Sequence, residues 1–269
     1  MNVFVIGTCR IHHPLEASTD NSKIKIINDS NQSFLHTTPE IIHRLEYLKG
    51  DYFYGQKLQN FQLTNNSADL LKNYCYSDVD IFLIEISSRK LISYEKNYLQ
   101  WNNTIKTVKK LGSEFSSLWL KSLNKKFKQG GKVLNFEIES LPNVLNMDEF
   151  DIISSIKARK QENIELEMDI EKIIKLTNRK VIFVSHINVL NKDSNLIKPR
   201  NELINSIEEI CKRKNYYFID PSELLFYVNQ KELMDKEGES VNHYNPEKLN
   251  FIGSFLHDKI LRMKDIIAK

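Results

Sequence analysis

The chain has 269 residues, 41% hydrophobic and 27% charged, enough for one large domain or two small ones. Its formal charge of +3, from 38 basic and 35 acidic residues, is too even to argue for a nucleic-acid partner. No apolar run approaches the ~20 residues that cross a membrane, and the first one is too short for a signal-peptide core, so a cytoplasmic protein is expected.

In chain order, Val3 to Ile6 form a short apolar run that predicts a buried strand over 2–6, ended by Gly7. Thr8, Cys9 and Arg10 follow at once, and His12 and His13 read as an exposed loop pair. A weaker strand is expected at 23–27. A helix over 39–49 carries Thr38 as its cap, Pro39 in its first turn and Glu40 behind it. Leu70, Leu71, Tyr74 and Cys75 sit at helical spacing in a helix over 66–75. The clearest interior strand is 80–86, an apolar run interrupted by Glu85. Helical patterns then dominate 91–128, with breaks, and 149–177, with one weak strand at 132–136 between them. A strand over 180–185, a helix over 200–214, a strand over 216–219 and a last helix over 246–265 complete the chain.

Near-continuous apolar strands separated by amphipathic helices suit a parallel sheet covered on both faces. The expectation is a single α/β domain over 1–269: three α/β/α layers, a mostly parallel sheet of flavodoxin-like kind, and a mainly helical insertion or cap over 87–178.

Open α/β sheets place their chemistry at the carboxyl ends of their strands. Cys9 stands there, and a thiolate is a strong nucleophile, whereas Cys75 and Cys211 read as buried small hydrophobes. Three cysteines with no Cys-x-x-Cys or Cys/His cluster form neither a disulfide framework nor a metal site. His243, in the loop before the last helix, is the candidate general base, with Asp235, Glu237 or Glu239 to orient it. Arg89, after the third strand, offers donors to an oxyanion or a phosphate. Arg10, His36, Ser88, His186 and Asn188 are the candidate substrate-binding residues, each at a strand end or helix start.

This pattern resembles the SGNH (GDSL-type) hydrolase superfamily, above all its branches with cysteine in the first block, such as GSCFA-domain proteins and capsule-biosynthesis acyltransferase relatives. Gly7-Thr8-Cys9 matches the Gly-Asp-Ser block, with Cys9 on the nucleophile position. Gly55 is the candidate for the second-block glycine. Ile84 to Lys90 matches the third block, where Ser87 replaces the glycine and Arg89 the oxyanion-hole asparagine. Ser240-Val241-Asn242-His243 matches the last block, keeping the histidine and not the aspartate.

The resemblance implies an acyltransferase or esterase working on acyl esters of a carbohydrate, in surface-polysaccharide biosynthesis. Cys9 would attack, His243 would shuttle the proton, and the Cys9 N–H with Arg89 would hold the oxyanion. No cofactor is required; acyl-CoA is a candidate donor, a glycan the partner, and a homo-oligomer is left open. The altered blocks also suit a non-catalytic glycan- or nucleotide-binding module on the same fold. A glycosyltransferase or sulfotransferase ranks last, because Gly7-Thr8-Cys9-Arg10-Ile11 holds one glycine and makes no phosphate loop.

Overall fold

The computed structural model describes residues 1–18, 23–28, 34–63, 76–134 and 145–267. The main sheet contains β1 (Asn2–Ile6), β2 (Lys25–Ile26), β3 (Ile81–Ile86), β7 (Lys180–Ser185) and β8 (Tyr217–Ile219). Its order is β2-β1-β3-β7-β8 with every pairing parallel, a doubly wound order that reverses between β1 and β3. A mostly parallel sheet between helical layers is the expected architecture.

Side-chain alternation along the strands sorts the core into two halves. Val3, Val5, Ile81, Leu83, Ile182 and Val184 face one layer. That layer is formed by α1 (Cys9–Ala17) and α8 (Leu249–Ile267), which bring Ile11, Leu15, Ile252 and Leu256. Phe4, Ile6, Phe82, Ile84 and Phe183 face the other. There α2 (Thr38–Lys49), α6 (Asn163–Thr177) and α7 (Lys198–Lys214) supply Ile41, Leu45, Ile170 and Ile207. Burying each such side chain contributes roughly 1.5–3 kcal/mol before the entropy of ordering is subtracted.

Two close approaches depend on glycine. A Cβ on Gly253 of α8 would lie 2.0 Å from the Pro14 carbonyl oxygen of α1, so the two helices touch backbone to backbone there. A Cβ on Gly7 would lie 2.6 Å from Glu85 Cβ and 2.7 Å from Ile11 Cδ1, so only glycine lets the first strand turn into α1 beneath Glu85.

Several expected elements differ. His12 and His13 lie within α1, not in a loop, and His12 is buried. Thr8 caps this helix: its hydroxyl accepts from the Arg10 N–H. The cap of α2 is Thr37, not Thr38, whose hydroxyl donates to Asp169 at 2.7 Å.

The stretch expected as helix from 91 onward begins instead with β4 (Lys90–Tyr94) and β5 (Asn97–Tyr98). The long helix expected over 149–177 is α5 (Met147–Ser155) and α6, separated by β6 (Lys157–Lys160). These strands form a second, antiparallel sheet, β5-β4-β6. Helices Trp101–Lys109 (α3) and Ser113–Gln129 (α4) pack on it, and its own core includes Ile92, Val108, Trp119, Leu123 and Ile153. Of the expected strand 132–136 only a bridge from Lys132 to Lys157 is seen, and 135–136 lie outside the described residues. The helix expected over 66–75, with Cys75, falls wholly outside them.

Candidate functional site

At the reversal of strand order, Gly7 ends β1 and Cys9 occupies the first position of α1. The Cys9 N–H belongs to the first turn, whose donors a helix leaves unpaired. Glu85, wholly buried near the end of β3, ties this turn to the sheet. Its carboxylate accepts from the Thr8 N–H at 2.8 Å, the Thr8 hydroxyl at 2.6 Å and Arg10 Nε at 3.1 Å. A buried carboxylate needs such partners, and they orient Cys9 and Arg10 together.

The segment before α2 runs beside the end of β1, with Phe34 bridged to Gly7. His36 is pinned from two sides. Its carbonyl accepts from the Ser87 and Ser88 N–H groups at 3.0 and 2.9 Å, and its Nδ1 lies 2.9 Å from Ser87 Oγ. Its Nε2 is buried without a partner. Burial, with Arg10 adding repulsion, lowers the His36 pKa to about 4 despite the attraction of Glu85. Glu40 accepts from the His36 and Thr37 N–H groups at 2.9 and 2.8 Å, while burial raises its carboxyl to about 7.

His186 follows β7 and is 5% exposed, with neither ring nitrogen hydrogen-bonded. Burial, then Arg10 and Arg200, lowers its pKa well below the usual value and keeps the imidazole neutral. Arg200, in the first turn of α7, donates to the Ile187 and Val241 carbonyls at 2.9 and 2.8 Å and to Asn242 Oδ1 at 3.1 Å. It therefore clamps the loop carrying His243 to the end of β7. Burial, then repulsion from Arg10, lowers its own pKa to about 10.

A cavity of about 770 Å³ opens over these strand ends. Cys9, Arg10, His36, Ser88, His186 and His243 all line it, so residues from both termini of the chain share one concavity. The Cys9 thiol is half-buried; burial pushes its pKa up, Arg10 pulls it down and Glu85 pushes it up again. The net shift is upward, which favours the thiol over the thiolate. His243 is exposed, and its ring makes no hydrogen bond to a carboxylate among the described residues. Asp235 instead accepts from the Lys236 N–H at 2.8 Å.

Three expected site residues lie elsewhere. Arg89 does not line this cavity: Ser87, Ser88 and Lys90 do, while Arg89 lines a separate one. Asn188 is buried as a brace, accepting from the Ile197 N–H at 3.2 Å and donating to Asn201 at 3.3 Å. Gly55 does not line the cavity either.

Conversely, Arg200, Glu40, Lys90 and Trp101 line the cavity without having been singled out as site residues. Arg200 left a signal in the sequence: a cation in the first turn of a helix opposes the macrodipole and needs another reason to be there. His13, expected in a loop, also lines it from α1. No group of three or more His, Cys, Asp or Glu among the described residues is arranged to hold a metal ion.

Residues 1–259 match the TviD N-terminal domain family. The chain belongs to that family. A curated relative, the Vi polysaccharide biosynthesis protein TviD of Salmonella typhi, is 24% identical over 246 residues. That alignment covers 89% of this chain and 29% of the relative, so the chain spans less than a third of its length. No solved structure gives a significant match. Among the described residues of this TviD-type domain, no helix is long and apolar enough to cross a membrane.

Proposed function

We propose that this chain is an SGNH-like acyltransferase or esterase acting on acyl esters of a carbohydrate in surface-polysaccharide biosynthesis, through Cys9 and His243. The observation that carries the reading is the shared cavity: Cys9 at the first turn of α1 and His243 from the far end of the chain both line it. Its volume of about 770 Å³ lies within the ordinary range of small-molecule sites. The family match and the printed role of the Salmonella typhi relative support the polysaccharide setting.

In this reading Cys9 Sγ attacks the acyl carbonyl as the thiol proton passes to His243, which suits a thiol held protonated by burial. The oxyanion meets the Cys9 N–H. Arg89 has no part in it. The tetrahedral adduct collapses to a thioester as His243 returns the proton to the leaving group, the alkoxide oxygen of an ester or the sulfur of an acyl-CoA. A sugar hydroxyl or water, deprotonated by His243, then cleaves the thioester and regenerates the thiol. Arg10, His36, Ser88 and His186 contact the substrate; an acyl-CoA is the candidate donor.

The raised thiol and the lack of a carboxylate on His243 among the described residues favour a second reading, a non-catalytic glycan- or nucleotide-binding module. Turnover of a chromogenic acyl ester separates the two. Catalysis predicts loss of roughly 10²–10⁴-fold in His243→Ala and a larger loss in Cys9→Ala. Turnover that is absent in the unaltered chain while glycan binding persists supports the module instead, and turnover unchanged in both variants removes the Cys9/His243 mechanism.

A further inference from the structure

Arg89 presents an unanswered charge. It is only 9% exposed, its Nε and Nη2 are buried without a partner, and it forms no ion pair within 4.0 Å among the described residues. Burial depresses its pKa, and the nearby Glu202 and Glu162 offset this only in part. A buried guanidinium without hydrogen bonds is expensive, so its surroundings should offer an acceptor. They offer a cavity of about 410 Å³, lined also by Lys160, Gln161, Glu162, Asn163 and Glu202.

Each wall has a defined state. Glu202 is held by Lys160 at 2.9 Å. Glu162 caps α6, and its N–H is taken by Glu165 at 2.9 Å. Gln161 spends its Nε2 on Thr38 and Asp169, each at 2.7 Å, which leaves its Oε1 buried and unpaired. Asn163 opens the 15-residue helix α6, so that helix's N-terminus meets the same cavity. Arg89 and Gln161, each with unpaired polar atoms sealed from solvent, therefore line one cavity beside the N-terminus of α6.

We propose that this cavity is a second binding site, distinct from that of Cys9, for a phosphoryl group bearing a hydroxyl. On binding, Arg89 and Gln161 turn their sealed polar atoms into the cavity: the oxyanion oxygens meet Arg89 and the first turn of α6, and the hydroxyl donates to Gln161 Oε1. Monohydrogen phosphate itself has this set of groups, as does a phosphate monoester with a sugar hydroxyl beside it. The proposal is independent of acyl chemistry at Cys9.

The test is calorimetric titration of the full chain at pH 7 with inorganic phosphate in one arm and glucose 1-phosphate in the other. The unaltered chain should bind at least one of them saturably, and the tighter arm tells free phosphate from an ester. Arg89→Gln should weaken that binding at least ~10-fold. Arg200→Met, in the first cavity, should leave it within about twofold.

Glu202→Gln removes a competing carboxylate and should tighten binding roughly threefold. Lys160→Gln frees Glu202 toward Arg89 and should weaken it by a similar factor. These two exposed positions keep the proposal testable if Arg89→Gln fails to fold. The absence of saturable binding in either arm, loss in Arg200→Met alone, or equal affinity in the Glu202 and Lys160 variants and the unaltered chain would overturn it.

Discussion

Two cavities lie on either side of the short stretch Ser87–Lys90, and they are built on opposite plans. Both arginines of the larger are already committed, Arg10 to Glu85 and Arg200 to two carbonyls and Asn242, while Lys90 lies over the Trp101 and Phe127 rings. What it leaves open are neutral imidazole nitrogens of His36 and His186 beside a thiol. The smaller cavity leaves open a guanidinium and one amide oxygen. One suits a reaction in which protons move, the other the recognition of a fixed charge. Neighbouring residues in sequence can thus serve unrelated sites: Ser87, Ser88 and Lys90 line the larger cavity and Arg89 the smaller.

The comparison is open to direct attack. The largest effect is expected from Cys9→Ala, which should reduce acyl turnover by ~10³-fold or more, measured as ester hydrolysis at saturating substrate. Glu85→Gln weakens the tie that holds Thr8 and Arg10 and leaves Arg10 without its countercharge. It should destabilise the fold by about 3 kcal/mol in urea unfolding. Gly7→Ala forces a Cβ against Glu85 and Ile11 and should cost about 1–3 kcal/mol in the same assay. Arg200→Met frees the His243 loop without touching the nucleophile and should lower kcat/KM roughly tenfold, with little change in thermal midpoint.

The pH dependence of stability offers the finest comparison. Burial raises Glu40 to about 7, so the folded chain holds its proton more tightly than the unfolded one. That contribution is complete below about 4.5 and is lost as pH rises toward about 7. Burial lowers His36 to about 4, so its contribution is complete above 6.5 and is lost as pH falls through that range. The thermal midpoint of Glu40→Gln relative to the unaltered chain should therefore climb between pH 4.5 and 7. A flat difference would show that the Glu40 carboxyl titrates normally.

The main sheet was legible because each of its longer strands is an apolar run buried on both faces, the plainest signal a sequence gives. Glu85, an anomaly in such a run, correctly announced a buried partner; Arg10 and Thr8 fill that role. The second sheet was not legible. Lys90-Leu-Ile-Ser-Tyr94 and Lys157-Ala-Arg-Lys160 are short and charged, and a chain rich in lysine and leucine nearby imitates helix. Helix α1 was missed because Pro14 lies inside it and the two histidines read as polar loop.

Within the larger cavity, residues at strand ends could be named from sequence, since sheet topology alone decides where those ends gather. Arg89 could not be placed: Ser87 and Ser88 both line the larger cavity, and nothing in Ser87-Ser88-Arg89-Lys90 marks which residue leaves it. Asn188 lies two residues beyond His186 and on the same side by simple alternation. The loop instead turns to let its amide hold Ile197 and Asn201.

Mass spectrometry of the chain quenched during turnover of an acyl ester tests the central claim most directly. The account predicts an acyl group mapped to the peptide containing Cys9, discharged when a sugar acceptor is added and persisting longer in His243→Ala. Sustained turnover with Cys9 unmodified throughout, or an acyl group carried by another residue, would contradict it.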